Sequence, residues 1–197
     1  ICYYTTQKYK CNIRENFNST VPITICIPCF PRDTLKLEKC INSIMKQTVL
    51  PEKVIVGHSE FTKNQAKQLE EKYKNDKFDF KCVSTRKKQY AAKNRNMAAK
   101  KVDTDYIGFF DADDIMYPER IETIWKQISK HKPLCLIHGF NDDFNKERKL
   151  NKIVFGKELY DKADKTKNER IWIYPGAHHG HPTIHKSVFD KVKQKES

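Results

Sequence analysis

The chain has 197 residues, a mass of 23.3 kDa and a 38% apolar composition, enough for one domain with a substantial buried core. Its formal charge of +13 favours anionic partners, phosphorylated ligands among them, although lysines spread along the whole length read first as a solvated basic surface. No apolar run approaches the roughly 20 residues needed to span a bilayer, and seven irregularly spaced cysteines argue against a disulfide framework, which makes the cytosol the simplest compartment.

The chain opens on Ile1 rather than Met, which reads as either a mature form or a segment of a larger protein. Residues 1–20 are polar and without period, so they read as an arm or the remnant of a preceding segment, and a single domain is expected over 21–197. "ITICIPCF" has the length of a buried strand and is closed by Pro31, after which Asp33 or Thr34 can cap a helix. That helix carries Leu37, Cys40, Ile41, Ile44 and Met45 at the spacing of a core-facing stripe. Cys26 and Cys29 have redox spacing, but they lie at a strand end rather than a helix start, so they read as small buried hydrophobes. "KVIVGHS" gives a second strand. Thr62 and Gln65 form a capping box for a helix that turns Ala66, Leu69 and Tyr73 inward. "FDFKCV" alternates as a third strand, and the Ala- and Lys-rich stretch 88–101 has strong helix propensity. A fourth strand, Tyr106 to Phe110, is followed by a helix predicted to begin at Pro118 and to bury Ile121, Ile124, Trp125 and Ile128. "LCLIHGF" is a fifth strand, residues 141–170 read as loops with a short helix, and a last strand and helix fall within 171–193.

Strands alternating with helices of this length predict an α/β domain with a mostly parallel central sheet flanked by helices. Ligands of such sheets bind beyond the carboxyl ends of the strands. Pro28 to Arg32, Gly57 to Glu60 and Asp111 to Asp114 all follow strand ends, so they are expected to converge on one crevice.

The acids at 111, 113 and 114 carry the functional question, because three carboxylates beside an apolar core repel one another unless a cation offsets them. A calcium loop beginning at Asp111 would need an oxygen ligand at its fifth position and glycine at its sixth, where the chain has Ile115 and Met116. A phosphatase of the haloacid dehalogenase type would need a later Gly-Asp pair, and none of the six glycines precedes Asp. An acidic turn capping the next helix accounts for one Asp, not three. A Mg²⁺ or Mn²⁺ ion clamped between carboxylates and a diphosphate accounts for the set, since such ions take few protein ligands and borrow phosphate oxygens.

"ITICIPCFPR", "CINSIMKQTVLPEKVIVGHSE" and "RNMAAKKVDTDYIGFFDADDIMYPERIE" together resemble the successive blocks of the family 2 glycosyltransferases, which have the GT-A fold, a single Rossmann-like domain. The resemblance runs over about 22–130, with a fainter echo in "HHGHPTIHKSVFDKV". It implies a UDP- or GDP-sugar donor, a divalent metal (Mn²⁺ or Mg²⁺), transfer with inversion, and a glycan, lipid or protein acceptor. By the same resemblance 21–116 forms the nucleotide-sugar half and 117–197 the acceptor side. Asp113 is implied as the metal ligand, Asp111 as a ribose or metal contact, and Asp114 as a further carboxylate. Pro28, Phe30 and Arg32 border the nucleotide, and Arg95 with Lys93 supplies positive charge near the diphosphate. An exposed helix face is the alternative reading of those two cations. Two features depart from the family pattern: the acid expected after the second strand is replaced by "VIVGHSE", where Glu60 can substitute, and no Glu-Asp motif supplies the general base. Glu196, His179 and His181 are the candidates for that role.

Histidines 178, 179, 181 and 185 form the richest such group in the chain. His181 is a candidate metal ligand, with acceptor contact or an exposed loop as the alternative. Two other classes share parts of this pattern. Positive charge with interleaved aromatics suits a nucleic-acid-binding domain, which the acids oppose, so no nucleic acid is expected. A metal-dependent nucleotidyltransferase would also use paired carboxylates.

Overall fold

Strand β1 (Thr20–Cys29) has β-branched or sulfur side chains on both faces and is buried almost throughout, as a central strand must be. It pairs in parallel with β2 (Leu50–Ser59) on one side and β4 (Tyr106–Phe109) on the other, and β2 pairs in parallel with β3 (Asp79–Thr85). A computed structural model of the chain describes residues 20–137, 154–155 and 182–191. It contains a seven-stranded sheet of order β3-β2-β1-β4-β7-β5-β6, with β5 (Cys135–Ile137), β6 (Val154–Phe155) and β7 (Thr183–His185). The expected parallel sheet holds for the four strands β3, β2, β1 and β4. Beyond β4 the pairings are antiparallel: β4 with β7, β7 with β5, and β5 with β6.

Helices cover both faces, as a buried parallel sheet requires. On one face α1 (Thr34–Met45), α2 (Lys63–Lys72) and α4 (Arg120–His131) pack on Ile23, Ile25 and Ile27 through Leu37, Ile41, Leu69, Ile121 and Ile124. On the other, α3 (Ala91–Ala99) and α5 (Lys186–Lys191) pack on Cys26, Ile55, Ile107 and Phe109 through Ala98, Ala99 and Phe189. The alternation along β1 thus sorts odd and even residues to opposite layers. α3 and β2 approach closely at Gly57. A Cβ built on Gly57 would lie 2.1 Å from the Asn94 carbonyl oxygen, so only glycine fits that strand end.

Several boundaries differ from the sequence expectation. β1 opens at Thr20, inside the stretch read as an arm. The helix of 88–101 is confined to Ala91–Ala99, and α4 starts at Arg120, after irregular chain and two short turns over residues 111–119. A short 3₁₀ turn, Pro31–Asp33, precedes α1, and Asp33 makes no side-chain cap. The capping box of α2 is present: Gln65 N–H donates to Thr62 Oγ1 at 3.2 Å, and Thr62 N–H donates to Gln65 Oε1 at 2.9 Å. The described cysteines are free thiols. Cys26 and Cys29 are buried, and desolvation raises both pKa values, that of Cys29 to about 12, which fits packing rather than redox chemistry. No helix among the described residues is long and apolar enough to cross a membrane.

Candidate active site

The strand order reverses between β1 and β4: β1 leads outward to β2 and β3, and β4 returns to β1's other side. Such a reversal opens a crevice at the carboxyl ends of the two strands. A cavity of about 370 Å³ lies there. β1 and the turn after it supply Pro28, Phe30, Arg32 and Asp33, and the first turn of α1 adds Lys36. Ala91 and Arg95 come from α3, and Asp111, Ala112 and Asp113 follow β4. Six of the residues singled out in the sequence therefore meet in one place, although they come from three separate segments.

The three acids have different surroundings. Asp111 starts a turn closed by the Asp114 N–H on the Asp111 carbonyl at 3.2 Å. Its Oδ1 accepts from Arg95 Nη2 at 2.5 Å, and the pair is nearly sealed, with side-chain exposures of 5% for Arg95 and 16% for Asp111. Arg95 is thus a buried cation held by a carboxylate, not part of an exposed helix face. Its Nε, also buried, has no hydrogen-bond partner in the structure, and the residue lines the cavity. Asp113 is half exposed and lies 3.5 Å from Lys36 Nζ, which also reaches Asp33 Oδ1 at 3.7 Å. Asp114 is half-buried and does not line the cavity. None of the three caps α4, whose N-cap is Glu119 without a side-chain bond.

The segment after the acids is held by the end of α1 and the residues just after it. Gln47 Nε2 donates to the Tyr117 carbonyl at 2.6 Å, its Oε1 accepts from the Ile121 N–H at 3.0 Å, and the Thr48 N–H donates to the Pro118 carbonyl at 2.9 Å. Ser43 Oγ accepts from the Met116 N–H at 2.9 Å. These polar residues at the end of a helix stripe carried no functional signal in the sequence, yet they fix the segment on which Asp111 and Asp113 ride.

Other expected residues lie elsewhere. Lys93 is half-buried on α3 and outside the cavity lining. Glu60 follows β2 in a left-handed conformation (φ 55°), its N–H donating to the Lys87 carbonyl, and it too is outside the lining. His58, near the end of β2, is fully buried: Nδ1 is 2.8 Å from the Ser59 carbonyl, Nε2 is 3.5 Å from Thr34 Oγ1, and the ring stacks on Phe61 at 3.9 Å. Burial pushes its pKa down. A second cavity, about 560 Å³, lies on the same sheet edge between Phe61–Asn64 and Ser84–Arg86. His178, His179, His181 and Glu196 lie outside the described residues. His185 belongs to β7, opposite Tyr106 at the amino end of β4, and its ring meets Tyr106 edge-on, so it stands at the far end of the sheet from the acids. β7 enters at the crevice end, where the Pro182 carbonyl accepts from the Phe109 N–H at 2.9 Å. Asp33 and Lys36 were missed as site residues. The signal available was their i, i+3 spacing directly after the strand-end segment.

The family model described as "Glycosyl transferase family 2" matches residues 24–193, a span that contains all the residues lining the crevice. The chain belongs to glycosyl transferase family 2. Solved structures of TarS from S. aureus share the fold of this family member. For TarS 1–349 the TM-score is 0.58 at 18% identity, with 86% of this chain and 48% of that chain covered. TarS 1–349 with UDP-GlcNAc gives 0.58 at 17% identity, with 86% and 46% covered, and the form with UDP gives 0.57 at 17% identity, with 86% and 48% covered. This chain therefore spans about half the length of those structures. No curated protein matches it. Together with the mixed sheet and the crevice at β1 and β4, these likenesses identify the GT-A fold.

Proposed function

We propose that this family 2 domain transfers a sugar from a UDP- or GDP-sugar to an acceptor hydroxyl with inversion, using Mn²⁺ or Mg²⁺ held at Asp113. The observation that carries the reading is the charge balance of the cavity: Arg32, Lys36 and Arg95 face Asp33, Asp111 and Asp113, so the formal charges cancel. A donor diphosphate entering a neutral cavity brings ionised phosphoryl groups that need further positive charge, and a divalent cation supplies it. The donor set suits a hard cation. It consists of carboxylate oxygens, Asp113 is accessible, and among the described residues no three Asp, Glu, His or Cys side chains gather to bind a metal without help from phosphate oxygens. UDP and UDP-GlcNAc in the TarS structures support a nucleotide-sugar donor, UDP first.

In this reading Asp111 orients Arg95, whose unpartnered Nε–H meets a phosphoryl oxygen. Tyr90, the N-cap of α3, offers no side-chain cap, and the following Ala91 faces the cavity, so the helix start adds partial positive charge. Phe30, with the Arg32 guanidinium 5.4 Å from its ring centre, and Pro28 wall the nucleotide; Glu60, outside that lining after β2, is the residue proposed for the base. When bound, the cation supplies Lewis-acid stabilisation of the departing diphosphate. Arg95 stabilises the same developing charge more strongly in the transition state than in the ground state. A base from the acceptor half takes the acceptor proton as the hydroxyl attacks opposite the leaving group. His179, His181 and Glu196 are its candidates, and the entry of β7 at the crevice end supports a role for residues just before Pro182. Residues 21–116 handle the donor and 117–197 the acceptor. Free thiols at every described cysteine favour a cytoplasmic setting.

Calorimetric titration of UDP- and GDP-sugars with Mn²⁺, with Mg²⁺ and after chelation tests the assignment. Binding that depends on the metal is expected. Affinity unchanged by chelation removes the metal bridge, and no binding of either donor class removes the transferase reading.

A further inference from the structure

We propose that Lys36 is a transferable counter-ion of the donor site: it neutralises Asp113 in the empty cavity and passes to the donor's phosphoryl oxygens when a divalent cation occupies Asp113. The inference rests on the donor reading above and adds a residue and an order of events to it.

The ion pairs that hold Asp111 and Asp113 differ in a way that suggests different jobs. Arg95 and Asp111 are sealed and in direct contact, and a planar guanidinium held on a carboxylate keeps its geometry. Lys36 and Asp113 are 56% and 52% exposed, and their 3.5 Å separation is longer than a well-made charge-assisted bond. An exposed ion pair of that kind contributes little and exchanges readily. Lys36 also does not belong to Asp113 alone. Asp33, buried at the foot of the same helix turn, lies 3.7 Å away on its other side, so the ammonium stays at the cavity when Asp113 is taken from it.

A divalent cation on Asp113 has two effects on this arrangement. It removes the partner of Lys36, and like-charge repulsion turns the ammonium away from the metal. The flexible four-carbon stem lets Nζ swing while the backbone of α1 stays fixed. The incoming phosphoryl oxygens are then the anions within the same cavity. Lys36 thereby opposes metal binding in the absence of nucleotide and favours nucleotide binding in its presence, so the two ligands bind with positive coupling. Coupling of this kind is reciprocal by necessity. The pairing in the empty cavity has a further consequence: Asp113 stays balanced without metal.

The experiment is calorimetry on the full chain with Mn²⁺ alone, with UDP in saturating Mn²⁺, and with UDP after chelation, using wild type, Lys36→Met, Lys36→Gln and Lys36→Arg. Loss of the ammonium is expected to tighten Mn²⁺ alone by about three- to fivefold, the scale of a partly exposed ion pair, and to weaken UDP with Mn²⁺ by at least about as much. Lys36→Arg recovers UDP affinity. A purely structural role for Lys36 would move both affinities the same way, so the opposite signs are the diagnostic. Lys36→Met and Lys36→Gln with wild-type values for either probe overturn the proposal while leaving the transferase reading intact. Wild-type protein that binds neither UDP nor GDP at any metal concentration overturns both.

Discussion

Asp113 carries a charge that the fold tolerates but does not use for packing. Half exposed and loosely paired with Lys36, it can be removed with little effect on stability. Asp113→Ala is expected to abolish donor turnover while shifting unfolding free energy by no more than about 0.5 kcal/mol, the range of surface substitutions. Turnover assays alongside urea denaturation check it, and a large stability loss with activity per folded molecule retained would make the acids structural. His58 presents the opposite case. Desolvation holds its pKa below the ordinary 6.5, so the unfolded chain takes up the proton first as pH falls. The stability contribution is complete above that value and is lost as pH falls below it, at up to about 1.4 kcal/mol per pH unit until the folded-state pKa is reached. Denaturation at about pH 7.5 and about pH 5.5 should show a smaller loss for His58→Gln than for wild type. At this scale Asp111 and Asp113 stand out because charge at a strand end is conspicuous, whereas Arg95, on α3, is singled out only by the family resemblance. Lys36 and Asp33 do not stand out, since a Lys three residues after an Asp on a helix start looks like any solvated pair.

Helix α1 does more than bury its stripe. Ser43 in its last turn, with Gln47 and Thr48 just after it, holds the segment after the acids, so the position of the carboxylates depends on the end of this helix. Gln47→Ala leaves the Tyr117 carbonyl and the Ile121 N–H without that partner. A loss of about 2–4 kcal/mol is expected from orphaning buried groups, with weaker UDP binding as the turn loosens. The denaturation midpoint and a UDP titration in Mn²⁺ check the two parts separately. Element types were readable where periodicity was strong, as in the α1 and α4 stripes and the capping box of α2. Boundaries failed at 88–101 and Pro118, because good helix formers such as Lys88 and Lys100 continue the pattern past the point where turns must deliver the chain to the crevice.

The whole molecule combines a parallel half that the sequence pattern announces with an antiparallel edge that it does not. β1 to β4 alternate with helices in plain order, whereas β5, β6 and β7 are two or three residues each and too short to show a period. Their order in the sheet also departs from their order in the chain. β7, at Thr183–His185, lies between β4 and β5, separated from β4 by more than seventy residues of chain. The contact is therefore among the slowest to form, because loop closure must precede any reward from pairing. Until it forms, the outer edge of β4 presents unpaired N–H and C=O groups next to the acids, a template for the wrong strand. On a ribosome the four parallel strands emerge long before the strand that closes them. A chain truncated before Thr183 is expected to aggregate on refolding from urea, whereas the intact chain refolds with a late phase. Light scattering with stopped-flow fluorescence separates these outcomes, and clean refolding of the truncated chain would show that β4 protects its own edge.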